Sequence, residues 1–224
     1  MKIDILTLFP SMYDGFLSES IIGRAIKDGK VEIKIHNIRD YSKDPHKKVD
    51  DYGYGGGAGM VLMPGPIFDA VDDIKTDDSY VILMTPQGKK YSQVEAKKLT
   101  LKKHIIIICG HYEGFDERIR TLADAEYSIG DYILTGGELA SMVITDSVTR
   151  LIDGVILKES SEFESFENNL LDYPVYTHPE EFRGMKVPEV LLSGHHANIN
   201  KWRHDEQVKR TKLRRPDLLE KEDH

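Results

Sequence analysis

Cysteine is nearly absent from this chain of 224 residues, where Cys109 stands alone. No disulfide framework can form within one chain, and a reducing, cytoplasmic setting is the expectation. Long apolar runs are absent too. None approaches the ~20 residues that a membrane span needs, so no membrane partner is expected. The opening "MKIDILTLFP" is broken by Asp4 and followed by no small-residue cleavage site, so it reads as a first strand rather than a targeting segment. A phosphate-cradling signature is missing from the most glycine-marked stretch, "YSIGDYILTGGEL" (127–139). No lysine follows Gly136 and Gly137 there, and no G-x-G-x-x-G spacing is present. No metal-ligand spacing can be read, and there is no internal repeat. His195 and His196 are adjacent, and neighbours at a helix start point to different faces and rarely share a metal.

Basic charge is in deficit overall. Lys and Arg number 30 against 38 Asp and Glu, a net charge of −8, which argues mildly against a nucleic-acid partner. The distribution is uneven, however. Glu159, Glu162, Glu164, Glu167, Asp172, Glu180 and Glu181 crowd one segment. Further on, "KWRHDEQVKRTKLRRP" carries Lys201, Arg203, Lys209, Arg210, Lys212, Arg214 and Arg215 against only Asp205 and Glu206. Such a tail suits phosphate-backbone contact or a solvated helix face, and charge alone does not separate the two.

What is present in quantity is apolar residue, 40% of the chain. Runs of strand length recur in "KIDILTL", "VEIKIHNI", "YVILMT" and "HIIIIC", with helical spacing over 12–27, 64–74 and 92–101. Nearly continuous apolar strands predict an α/β domain with a parallel sheet covered on both faces, spanning 1–157. The polar, acidic segment 158–172 reads as a linker. After it, 173–224 offers at least one helix with a capping-type start near Ser193, a small all-α domain. "DDYGYGGGAGMVLMPGP" holds five glycines between Gly53 and Gly59 and reads as a mobile binding loop.

In an open parallel sheet, ligands collect at the carboxyl ends of strands. "TPQG", "GHYEGFDER" and "IGDYILTGGE" occupy such places and mix glycine with apolar side chains, without a phosphate-binding lysine. Backbone groups lining an apolar slot suit an adenine ring and a ribose, which predicts a nucleoside-type ligand without a phosphate chain. Cys109, ending a buried strand, reads as a structural thiol.

Taken together, "DPHKKVDDYGYGGGAGMVLMPGP", "LMTPQG", "CGHYEGFDER", "SIGDYILTGGELA" and "LLSGHHANINKWR", in this order, closely resemble the bacterial tRNA (guanine-N1)-methyltransferase family. The resemblance runs from "ILTLFP" to "LRRPDLL", almost the whole chain. It implies a homodimer that binds S-adenosyl-L-methionine in a deep C-terminal trefoil knot, although chains in general are unknotted. By the resemblance, Gly110, Ile129, Gly130, Asp131, Tyr132, Ile133 and Leu134 surround the cofactor. Pro86, Tyr112, Glu113, Gly114, Gly136 and Gly137 are its neighbours. His46, in "PHKKVDDY", and Gly59 join Lys201, Arg203, Arg210, Arg214 and Arg215 as expected tRNA contacts.

The family's reaction moves a methyl group to N1 of the guanosine at tRNA position 37, beside the anticodon. N1 carries a proton in neutral guanine, and a carboxylate with a reference pKa of ~4.3 is a poor base for it. The negative charge developing at O6 therefore needs a partner. Arg150, in "TDSVTRLIDG", matches the family's catalytic arginine; read without the family, it is a helix-end arginine satisfying the last carbonyls. The aspartate that the family carries before "SF" is thought to take the proton. Here "EFESF" puts Glu164 in that place, and Glu162 and Asp172 are the other carboxylates that could serve. The family also resembles a magnesium-dependent enzyme, so Mg2+ could share the charge. Two alternatives stand beside this one: a knotted enzyme methylating an RNA ribose 2′-hydroxyl, and a non-catalytic RNA-binding factor.

Overall fold

The computed structural model describes residues 1–157 and 164–220. The chain divides into two compact units, Met1–Ile156 and Leu157–His224.

In the first unit the apolar runs become strands of one sheet. β1 (Lys2–Thr7), β2 (Glu32–Asn37), β5 (Ser79–Lys90), β6 (His104–Cys109) and β7 (Ala125–Ser128) stand in the order β2-β1-β6-β5-β7. Every pairing is parallel. Successive side chains alternate between the two faces. Ile3, Ile5, Ile105 and Ile107 pack into one core with Tyr13, Leu99, Ile144 and Val148. Leu6, Ile106 and Ile108 pack into the other with Ile67, Ala70, Val71 and Ile119. The central strand β6 is therefore buried at every position, which is why "HIIIIC" has no polar alternation.

The covering helices are α1 (Asp14–Ser18), α2 (Ser20–Lys27), α3 (Pro64–Ile74), α4 (Gln93–Leu99) and α5 (Glu138–Thr149). The single helical span expected over 12–27 is broken at Glu19, whose backbone is extended at φ −110°, ψ 163°. The glycine-rich stretch is the tip of an antiparallel hairpin, β3 (Asp50–Tyr52) with β4 (Met60–Leu62). Gly55, Gly56, Gly57 and Gly59 all have positive φ there, which only glycine adopts freely. One irregularity reshapes the carboxyl end of the sheet. Met84 and Lys89 are both registered on Tyr127, so residues 85–88 bulge out from the ladder there.

The second unit contains helices Glu189–Leu192 and His196–Arg214, and a short antiparallel hairpin, β8 (Glu181–Phe182) with β9 (Met185–Lys186). It is not purely helical as expected. Arg183 and Gly184, at φ 53° and 78°, turn the hairpin. Of the expected linker, residues 158–163 lie outside the described residues. Beyond them, the Asp172 N–H donates to Ser165 Oγ at 3.0 Å and the Leu171 N–H to Thr211 Oγ1 at 2.8 Å, tying this end to the long helix. The helix start expected near Ser193 falls at His196, and Ser193 Oγ instead accepts from the His195 N–H at 3.2 Å. Among the described residues, no helix is long and apolar enough to cross a membrane.

Candidate functional site

The carboxyl ends of β5, β6 and β7 meet at a pocket of about 310 Å3. The bulge contributes Pro86. The loop after β6 contributes Gly110, Tyr112, Glu113 and Gly114, and the loop after β7 contributes Ile129, Gly130, Tyr132, Ile133, Leu134, Gly136 and Gly137. Of the cofactor residues expected from the sequence, Asp131 alone is not in the lining. Its side chain is exposed, 3.7 Å from Lys90 Nζ. Met84, Thr85, His111, Phe115, Tyr127 and Ser128 line the pocket without having been expected.

The glycine pair is explained by close approach. The Gly137 N–H donates to the Gly110 carbonyl at 2.8 Å. A Cβ on Gly137 would lie 2.9 Å from Cys109 Cα and 3.0 Å from Gly110 N, so only glycine lets α5 start hard against the end of β6. A Cβ on Gly136 would run into the side chains of Glu138 and His111. Cys109 is buried, and burial pushes its thiol up to about 12, so it is no nucleophile.

Among the described residues, no lysine or arginine lines this pocket. The His111 ring sits between Phe9, at 4.9 Å, and Tyr112, at 5.2 Å. Its Nδ1 is buried without a hydrogen-bond partner among the described residues. Glycine walls, apolar side chains and an unused ring nitrogen fit an uncharged nucleoside moiety; a polyphosphate would find no cation here.

The β3–β4 hairpin is bonded to this rim. The Glu113 N–H donates to the Met60 carbonyl at 3.0 Å, and the Leu62 N–H to the Gly114 carbonyl at 2.9 Å. A Cβ on Gly59 would lie 2.5 Å from Glu113 Cγ, so Gly59 seats that side chain. His46 is exposed on the preceding loop, its N–H donating to Asp44 Oδ1 at 2.7 Å.

Arg150 is the C-cap of α5 and half-buried, with its own N–H donating to the Asp146 carbonyl at 3.0 Å. In the second unit Glu164 and Asp172 are both half-buried. Asp172 Oδ1 accepts from the Tyr173 N–H at 2.7 Å, while Glu162 lies outside the described residues. The basic residues of the long helix divide into two kinds. Arg203 stacks over the Tyr173 ring at 4.8 Å, and Arg215 pairs with Asp217 at 2.7 Å. Arg210 and Arg214 line one groove with Asp172, Tyr173 and Tyr176, and neither has a partner among the described residues. Lys201 is exposed. Among the described residues no three His, Cys, Asp or Glu side chains are placed to hold a metal ion, so the expected Mg2+ finds no support.

A family model described as tRNA (Guanine-1)-methyltransferase TrmD matches residues 1–221. Similar curated proteins are tRNA (guanine-N(1)-)-methyltransferases of Bacillus cereus (strain AH820), Bacillus anthracis (strain A0248) and Bacillus thuringiensis subsp. konkukian (strain 97-27). Each is 57% identical to this chain over 225 residues, covering 98% of this chain and 92% of the relative.

Proposed function

The chain belongs to the tRNA (guanine-1)-methyltransferase TrmD family and methylates N1 of guanine in tRNA, and we propose that its methyl donor is S-adenosyl-L-methionine and its acceptor the guanosine at position 37. The pocket carries the donor assignment, being glycine-walled, largely apolar and, among the described residues, without a cationic side chain in its lining. S-adenosyl-L-methionine supplies, when bound, a methyl group on a sulfonium whose positive charge disappears on transfer. A lining lysine would oppose that charge in the bound state.

Glu164 takes the N1 proton and Arg150 holds the negative charge that develops at O6. A carboxylate near ~4.3 is far less basic than deprotonated guanine, so the transfer is feasible only while a guanidinium stabilises the product charge. What supports the roles is residue type, half-burial and correspondence to the family's motif. Residues 1–157 serve the donor and 173–224 the tRNA, with 158–172 connecting them. Arg210 and Arg214 are the best-supported phosphate contacts because neither guanidinium has a partner among the described residues.

A trefoil knot at this end of the domain rests on the family resemblance alone. Leu139 and Val143, exposed one turn apart on α5, support a homodimer. A cytoplasmic setting agrees with the lone buried thiol. Nucleoside mass spectrometry of tRNA incubated with enzyme and labelled S-adenosyl-L-methionine tests the reading. Labelled 1-methylguanosine at position 37 is expected, and label found only in 2′-O-methylated nucleosides would overturn it.

A further inference from the structure

The bulge of residues 85–88 stands on two feet, and both rest on one residue. Met84 and Lys89 are each registered on Tyr127, and a Cβ on Gly88 would meet the Tyr127 nitrogen at 2.5 Å. Thr85 and Pro86, at the crest, line the pocket, as does Tyr127 beneath them. Nothing in the ladder itself fixes how wide this arch opens, because residues 85–88 pair with no strand.

A carboxylate on α4 supplies what the ladder lacks. Glu95 is 6% exposed. Its Oε1 accepts from Lys89 Nζ at 2.9 Å and from Lys98 Nζ at 3.1 Å, and its Oε2 accepts from the Tyr127 hydroxyl at 2.7 Å. One side chain thus grips the far foot of the arch and the residue on which both feet stand. The Lys89, Tyr127 and Lys98 bonds outweigh burial and lower its carboxyl to about 2, so the grip is fully charged at any physiological pH. The Tyr127 ring in turn lies edge-on to Tyr91 at 5.6 Å, and the Tyr91 hydroxyl meets Ser147 Oγ on α5 at 2.7 Å.

We propose that Glu95 is a positioning residue that closes the 85–88 arch over the pocket and so sets affinity for the nucleoside part of the methyl donor. It touches no ligand itself. This role rests on the donor assignment proposed above. A loss confined to donor binding is expected, because the arch lies on the donor side and contains neither Glu164 nor Arg150.

Calorimetric titration with S-adenosyl-L-methionine, paired with steady-state kinetics on tRNA, tests it well below each variant's unfolding midpoint. Glu95→Gln should raise the donor's Kd and KM roughly tenfold, the worth of one hydrogen bond to a charged group, while kcat at saturating donor is retained. Lys89→Met should behave in the same direction, and the double variant should be no worse than Glu95→Gln alone. Unchanged donor affinity in a folded Glu95→Gln, even with a lowered midpoint, would reduce the clamp to a stability element and overturn the inference. Equal losses in kcat and affinity would overturn it too. Wild-type enzyme that ignores the donor would instead overturn the proposed function, and the inference with it.

Discussion

Thr7 Oγ1, at the end of β1, donates to Glu138 Oε1, at the start of α5, at 2.8 Å across 131 residues of chain. Both side chains are buried, and the same hydroxyl accepts from the Phe9 N–H at 2.9 Å. Since the Phe9 ring rests on His111, this bond joins the first strand to the pocket wall. Thr7→Val should cost about 1–3 kcal/mol, because it strands a buried carboxylate without its donor. Thr7→Ser should recover most of that in chemical denaturation. A Thr7→Val chain as stable as wild type would show that the bond contributes nothing to the fold.

The two glycines should respond differently to the same insult. At Gly137 a methyl group meets backbone of the neighbouring strand end, which cannot move aside, so Gly137→Ala should lower the unfolding midpoint sharply. At Gly136 it meets only the side chains of Glu138 and His111. Gly136→Ala should therefore fold but bind S-adenosyl-L-methionine more weakly. Thermal unfolding and calorimetry on both variants check this, and the reverse pattern would contradict the assigned packing.

On the long helix, equal charges should not count equally. Replacing Arg210 and Arg214 with glutamine should flatten the dependence of tRNA affinity on salt by roughly 0.7–0.9 per arginine in a log–log plot. Arg215→Gln should change the slope much less, because Asp217 already neutralises that guanidinium. Equal slope changes from all three would refute the division.

Asp4 makes a pH prediction. Burial pushes its carboxyl up, but hydrogen bonds from His36 at 2.7 Å, Lys2 at 2.6 Å and His104 at 2.6 Å outweigh it and hold the group well below the usual carboxylate range. A depressed acid contributes stability above its unfolded-state pKa of ~3.9 and loses that contribution as pH falls below it. The stability gap between wild type and Asp4→Asn should narrow as pH drops from ~5 to ~2. A gap that stays constant across that range would show the carboxylate is not charged in the fold.

For the chemistry, Glu164→Gln should lower methyl transfer by roughly 10²-fold or more with donor and tRNA affinities little changed, and Glu164→Asp should keep substantial activity. Near-wild-type turnover in Glu164→Gln would move the base to Glu162 or Asp172.

The sheet was legible because a parallel sheet covered on both faces demands unbroken apolar runs, as in β1 and β6. β3 and β4, three residues each, were not. They pair with each other, and β4 is bonded to the loop after β6, which no local pattern announces. The pocket was half legible. Gly110, Gly136 and Gly137 stand out by composition, whereas Tyr127 and His111 matter because of a register jump and a ring stack. Asp131 shows the converse, sitting inside the motif with its side chain turned to Lys90. Charge counting could not separate Arg215 from Arg210, since that needs the helix in three dimensions.

The Thr7–Glu138 bond and the all-parallel ladder also set a timetable. β1 pairs with β6 at separations near 100 residues, Lys2 opposite His104, so no hairpin can nucleate this sheet. Long loops must close before any ladder rewards them, which makes assembly slow on the scale of small domains. Gly137 finds its seat only once Met84, Cys109 and Gly110 are already in place. The donor pocket draws Gly136, Gly137 and Ala140 from this late segment, so a nascent chain carries an incomplete binding wall until α5 has left the ribosome and docked.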